Sequence, residues 1–209
     1  RQSHDQIVGF RRMGTPAAPA TASGVAVVVP IKSFAHAKGR HADTLSEQAR
    51  SALARRCAHT VLAAARPLQV FVVCDDTEVA EWAHTNGAAV VAPPRPGLNE
   101  AVAAGRTAAA VAGYARVLVV HSDLPAAQSL ASLADEPTDA VIVPDRHHDG
   151  TNALLVPTAG AFTFRYGPGS FATHQAALTQ AGWTCTVVNR PDLALDLDTP
   201  DDLRAAGLA

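Results

Sequence analysis

Three carboxylates carry the first sign of chemistry in this sequence. Asp123 closes the run Val117-Leu-Val-Val-His-Ser-Asp123-Leu-Pro125, and Asp196 and Asp198 stand two apart in Leu195-Asp-Leu-Asp-Thr-Pro200. Because Asp123 follows an apolar run of strand length, its carboxylate should emerge at the carboxyl end of a buried strand, where open α/β sheets bind ligands. Residues two apart in an extended segment point the same way, so Asp196 and Asp198 should share a face. Three such carboxylates suit a hard divalent cation. The segment Pro30-Ile-Lys32-Ser-Phe-Ala-His-Ala-Lys38-Gly-Arg40 adds three cations that could wrap and neutralise a triphosphate, Lys as a point charge and Arg as a fork. Metal-assisted handling of a nucleoside triphosphate is the chemistry this set would serve.

Each part also has a plainer reading. Lys32, Lys38 and Arg40 could sit in a solvated basic loop. Fourteen Asp in 209 residues give about one Asp-x-Asp pair by chance. Thr199-Pro200 reads equally as the N-cap and first position of a helix, with Asp201 and Asp202 favouring its dipole.

Other segments could bind a substrate. In Gly97-Leu98-Asn99-Glu-Ala101, Asn99 is either a helix N-cap or a group that hydrogen-bonds a base edge. Arg165-Tyr-Gly-Pro-Gly-Ser170-Phe-Ala-Thr-His174 starts a helix with glycines and Ser, whose N–H groups could hold a carboxylate or phosphate unless the turn is simply capped. Gly150-Thr151-Asn152 opens an apolar run beside Asp145-Arg-His-His-Asp149. His147 and His148 are adjacent, a poor spacing for one metal, and read as exposed loop residues.

The elements that must position these groups alternate in type. Val25–Pro30 is a continuous apolar strand, and Thr44-Leu-Ser-Glu47 has the capping-box pattern of a helix running to about Ala65. Further strands are expected over 70–74, 88–92, 117–121, 140–143, 153–156 and 184–188. Helices are expected up to Asn86-Gly87, over 99–113 and over 171–181. Fully apolar strands interleaved with helices predict a Rossmann-like α/β fold, a mainly parallel sheet covered on both faces. No G-x-G-x-x-G follows the first strand and no G-x-x-x-x-G-K-[ST] is present, so a nucleotide would have to bind by other means.

Composition narrows the class. A 209-residue chain that is 48% hydrophobic supports one buried core and one domain. Residues 1–23 lack periodicity and read as an unfolded or non-native extension, leaving 24–209 as the domain. A net charge of −2 provides no field for nucleic acid, and no run of about 20 apolar residues is available to span a membrane. Cys57, Cys74 and Cys185 have no C-x-x-C spacing and sit in apolar stretches, as expected of buried free thiols in a reducing, cytoplasmic compartment.

Taken together, the segments resemble the CofC/FbiD guanylyltransferases, which make the activated precursor of the deazaflavin coenzyme F-420. The resemblance rests on Lys32 with Ala37-Lys38-x-Arg40, Leu98-Asn99, Asp123-Leu-Pro125, Gly150-Thr151, Tyr166-Gly167-x-x-Ser170 and Asp196-x-Asp198-Thr-Pro200, in the family's order from Gly24 to about Gly207. The chain departs from it at His41, where leucine usually follows the arginine, and at Ser122, where glycine usually precedes the aspartate. The resemblance implies a single-domain, three-layer fold of the nucleotide-diphospho-sugar transferase (GT-A-like) type. It implies transfer of GMP from GTP to the phosphate of 2-phospho-L-lactate, phosphoenolpyruvate or 3-phospho-D-glycerate, with release of pyrophosphate.

Under that resemblance Mg²⁺ would be held by Asp123, Asp196 and Asp198, and the triphosphate by Lys32, Lys38 and Arg40. The guanine would lie near Leu98 and Asn99. The acceptor's carboxylate would be held by Thr151, Gly167 and Ser170, largely through backbone N–H groups. A labile product would suit hand-over to the next enzyme of the pathway, and a homodimer is the default assembly. Molybdenum-cofactor and sugar-phosphate nucleotidyltransferases of the same fold carry a Gly-rich turn where this chain has Pro30-Ile-Lys32. A nonenzymatic nucleotide-binding protein could lose its metal carboxylates, whereas all three are present here.

Overall fold

The computed structural model describes residues 24–35 and 43–208. The extension 1–23 and the loop residues Lys38, Arg40 and His41 therefore lie outside the described residues. Seven strands form one sheet: β1 (Val25–Pro30), β2 (Gln69–Val73), β3 (Ala89–Val91), β4 (Arg116–Val120), β5 (Ala140–Pro144), β6 (Thr151–Pro157) and β7 (Cys185–Val187). Their order across the sheet is β3-β2-β1-β4-β6-β5-β7. The helices are α1 (Glu47–Ala64), α2 (Thr77–Thr85), α3 (Leu98–Val111), the short α4 (Ala131–Ala134), α5 (Ser170–Gln180), the short α6 (Pro191–Ala194) and α7 (Pro200–Ala205).

Alternation along each strand builds the two cores. From β1, Val25, Val27 and Val29 face a core closed by Ala58, Val61 and Leu62 of α1 and Val79 and Ala83 of α2. The intervening Ala26 and Val28 face the opposite core with Val102 and Ala109 of α3 and Leu178 of α5. A sheet buried on both faces explains why its strands read as unbroken apolar runs. Gly105 lets α3 lie close on this sheet, because a Cβ there would meet Val28 Cγ1 at 2.5 Å and Val73 Cγ2 at 3.0 Å. A third, smaller cluster joins Leu53 and Cys57 of α1 to Leu197 and to Leu203 of α7.

One strand departs from the parallel pattern. β6 runs antiparallel to both β4 and β5, whereas β1, β2, β3 and β4, and the β5–β7 pair, are joined by parallel ladders. The link between Pro144 and Thr151 is too short for a crossover connection and can only close a hairpin. The reversal has a functional consequence. It brings the amino end of β6, with Thr151, to the edge where β1, β4 and β5 present their carboxyl ends.

Three local expectations change. The N-cap of α1 is Ser46, whose side chain accepts from the Ala49 N–H at 3.2 Å, so Glu47 opens the helix instead of completing a box with Thr44. α3 starts one residue earlier than expected, with Gly97 as N-cap at φ 127°, which leaves Asn99 inside the helix. Cys57 and Cys74 are buried, but Cys185 is exposed, because β7 is the outermost strand of the sheet. No helix among the described residues is long and apolar enough to cross a membrane.

Candidate active site

At the end of β4 the chain leaves the sheet under two constraints. The His121 N–H donates to the Asn152 carbonyl at 3.0 Å, and Leu124 is fully buried in the core beneath α1. Asp123 lies between these anchors. The segment bearing Asp196 and Asp198 is strapped across the same edge from the β5–β6 side. Asn152 Nδ2 donates to the carbonyls of Leu193 (2.8 Å) and Ala194 (3.3 Å), and the Arg146 N–H donates to the Ala194 carbonyl at 2.8 Å. Leu197 is fully buried against α1 and α7, so the residues on either side of it turn away from that core.

Asp202 fixes the end of the strap. Its Oδ2 accepts from the backbone N–H groups of Asp198 (3.0 Å) and Thr199 (2.6 Å) and from the Thr199 hydroxyl, while Oδ1 pairs with Arg146 at 2.5 Å. The capping box of α7 is thus made by Thr199 and Asp202. The cap draws on the Asp202 carboxylate and not on the side chains of Asp196 or Asp198, so it does not compete with the cation reading of those two.

The carboxylates gather as a like-charge cluster. Burial first, then the charges of Asp123 and Asp198, push the Asp196 carboxyl up to about 6. Among the described residues no three His, Cys, Asp or Glu form a complete metal-holding group by themselves. Mg²⁺ does not require one, since it keeps several waters and takes one or two carboxylates plus substrate phosphates. These hard oxygen donors fit such an ion, whose charge would relieve the burial and like-charge repulsion felt by Asp196.

On the far side of β1 from this cluster lies a cavity of about 250 Å³. Its walls include Ile31, Lys32, Cys74, Asp75, Pro96 and Leu98. It lies at the carboxyl ends of β1 and β2, and its size is just below that of a pocket for a whole small molecule, which suits one moiety of a nucleotide. Lys32 is exposed at this edge. Burial raises the pKa of the Cys74 thiol, so this sulfur is held as a thiol and not poised as a nucleophile. Leu98 lines the cavity, whereas Asn99 does not. The Asn99 side chain clasps the main chain of Tyr166, accepting from its N–H at 2.7 Å and donating to its carbonyl at 3.2 Å.

On the other side of the carboxylates are Thr151, Gly167 and Ser170. Ser170 Oγ donates to Thr151 Oγ1 at 3.4 Å, and His174 Nδ1 lies 3.0 Å from the same oxygen. All three side chains are buried. Gly167, at φ 139°, adopts a backbone conformation that L-residues avoid. The loop before β6 is organised by Asp145, whose carboxylate accepts from the N–H groups of His147, Asp149 and Gly150. A Cβ at Gly150 would fall 2.8 Å from Asp145 Oδ2, so a larger residue would push that carboxylate off the N–H groups it accepts from.

The N–H groups expected to be open at the start of α5 have partners within the protein. Gly169 N–H donates to Asp149 Oδ2 at 3.1 Å, Phe171 N–H to the Asp149 carbonyl and Ser170 N–H to the Gly167 carbonyl. Asp149 thus sets a carboxylate against the turn where an acceptor's carboxylate was expected. His148 lies edge-on to Phe171, with ring centroids 5.6 Å apart.

Several site residues gave no signal in the sequence. His174, Asn152, Arg146 and Asp202 act through contacts with distant segments, and only Asp202 carried a local clue, in the capping pattern. His121 packs 5.2 Å from Tyr166, ring centre to ring centre. His121 Nε2 and the Tyr166 hydroxyl are buried without a hydrogen-bond partner among the described residues. Each such orphan costs about 1–3 kcal/mol until something pairs with it.

The same α/β sheet architecture is found in solved structures described as a nucleotide-diphospho-sugar transferase and a cytidylyltransferase. A Desulfovibrio desulfuricans structure described as a nucleotide-diphospho-sugar transferase superposes with a TM-score of 0.72 at 18% identity, covering 88% of this chain and 86% of that one. A Leptospira borgpetersenii cytidylyltransferase superposes at 0.55 and 11% identity, covering 88% and 85%. These likenesses establish the fold.

The sequence is more specific. Residues 25–206 match the family described as guanylyl transferase CofC like, and the chain belongs to that family. Among its relatives are proteins named phosphoenolpyruvate guanylyltransferase from Rubrobacter xylanophilus, 38% identical over 86% of this chain and 91% of that one, and from Roseiflexus castenholzii, 36% identical over 84% of both.

Proposed function

We propose that the protein transfers GMP from GTP to the phosphate of a small phosphorylated three-carbon acid, with phosphoenolpyruvate as the acceptor its relatives' names suggest. The observation that carries this reading is the acidic cluster at the end of β4. It lies between a cavity on the β1 side sized for one moiety of a nucleotide and a pair of buried hydroxyls on the β6 side. An acceptor phosphate oxygen would attack the α-phosphorus of GTP, forming a new P–O bond as the bond to the β-phosphate breaks and pyrophosphate leaves.

That oxygen is already ionised at neutral pH, so no protein nucleophile is needed, and catalysis rests on positioning and charge neutralisation. Asp123, Asp196 and Asp198 would hold Mg²⁺, which when bound supplies the positive charge that lets two phosphates approach. Lys32 would meet the triphosphate at the mouth of the cavity, with Lys38 and Arg40 completing that role. Leu98 would pack on the guanine, and Asn99, which does not line that cavity, would act indirectly by fixing the Tyr166 main chain. Thr151, Gly167 and Ser170 would receive the acceptor's carboxylate. The same proposal places the protein in the cytoplasm, in coenzyme F-420 assembly and upstream of an enzyme that takes its labile product. Assembly as a homodimer belongs to it as well.

The test is to incubate the protein with GTP, Mg²⁺ and each of phosphoenolpyruvate, 3-phospho-D-glycerate and 2-phospho-L-lactate, following pyrophosphate and the mass of the product. Pyrophosphate release with a guanylated phosphoenolpyruvate is the expected result. Release with none of the three, beside an active control enzyme, would overturn the proposal.

A further inference from the structure

His174 is fully buried on α5 and serves no part of the chemistry above, yet it makes two polar contacts. Its Nε2 accepts from the Arg165 backbone N–H at 3.0 Å. A backbone N–H can only donate, so Nε2 carries a lone pair. Burial, with His121 nearby, holds the ring's pKa down at about 4, so it is neutral at physiological pH. A neutral imidazole with its lone pair on Nε2 carries its proton on Nδ1. The contact from Nδ1 to Thr151 Oγ1 at 3.0 Å is therefore a donation to the threonine.

The remaining protons can be counted. Thr151 and Ser170 have one hydroxyl proton each, and their mutual contact at 3.4 Å consumes one. Because His174 donates instead of accepting, the other proton is not spent on the ring and one O–H of the pair is left to point at a ligand. A carboxylate only accepts. With the opposite tautomer, Thr151 would donate to the ring, Ser170 would donate to Thr151, and nothing would remain for an anion.

We propose that His174 is a positioning residue that keeps the Thr151–Ser170 hydroxyl pair a net donor toward the carboxylate of the acceptor acid. This rests on the reading of Thr151 and Ser170 as the acceptor site. The Arg165–Tyr166 main chain that orients the ring is itself held from two sides, by His174 and by Asn99.

Four proteins test it: wild type, His174→Leu, His174→Gln and Thr151→Val, each checked for its thermal midpoint. A Gln amide can accept from Arg165 N–H through oxygen and donate to Thr151 through nitrogen, whereas Leu can do neither. His174→Leu should raise the KM for phosphoenolpyruvate about tenfold or more with the KM for GTP unchanged, and His174→Gln should restore it to within about threefold of wild type. Thr151→Val tests the acceptor site itself and should raise the same KM. If Thr151→Val raises it and His174→Leu does not, the hydroxyl pair binds the acid but His174 does not set it. If neither substitution changes it, both the acceptor site and the role of His174 are wrong. Equal damage by Leu and Gln, extending to GTP and accompanied by a lower thermal midpoint, would make His174 merely structural.

Discussion

Two residues at this sheet edge are held away from their ordinary protonation, in ways that oppose each other. Asp196 is raised from 3.8 to about 6. Between those values the folded protein keeps a proton that the unfolded chain has lost, so this contribution is full below pH 3.8 and falls away as pH rises through 6. His174 is lowered from 6.5 to about 4. Between those values the unfolded chain binds the extra proton, so this contribution is full above pH 6.5 and is lost as pH falls through 4. Each is worth about 3 kcal/mol, and over pH 4–6 they nearly offset. Asp196→Asn should therefore gain stability relative to wild type as pH rises from 4 to 6, while His174→Gln should lose it. Urea midpoints measured across that range would show this, and three parallel profiles would contradict it. The carboxylates were legible in the sequence because a strand end and a two-residue spacing are local patterns. The hydrogen bonds of Asn99 were not, since its partner, Tyr166, lies 67 residues along the chain, and no local pattern reports such a contact.

At the scale of elements, most helices and strands were readable from alternation and caps. The direction of β6 was the main departure. Its apolar sequence matches its parallel neighbours, and only the short Asp145–Gly150 link betrays the hairpin. That reversal sets Thr151 beside the carboxylates, so loop length here decides the site. Close packing of α3 on the sheet makes a second test. In an open helix Gly105→Ala would stabilise by about 0.8–1 kcal/mol through helix propensity. Here the added Cβ would overlap Val28 and Val73, and overpacking of this kind costs about 1–3 kcal/mol. A net loss of thermal stability is expected. A rise in the melting midpoint would show that α3 can lift away without strain.

For the whole molecule, sheet order explains the division of labour. The cavity of about 250 Å³ lies at the ends of β2 and β1, the acidic cluster at the end of β4, and the Thr151–Ser170 pair at the start of β6 and α5, so under the proposed function the two substrates would approach from opposite sides and meet over β4. Family membership gives this arrangement a reaction. The central claim is that the bond broken lies between the α- and β-phosphates of GTP. It is tested most directly by supplying the full chain with Mg²⁺, phosphoenolpyruvate and GTP labelled at the α-phosphorus, then separating the products. The label should appear in a guanylated phosphoenolpyruvate, with unlabelled pyrophosphate released in equal amount. Label recovered in GDP, or left in GTP while a control enzyme turns over, would contradict the account.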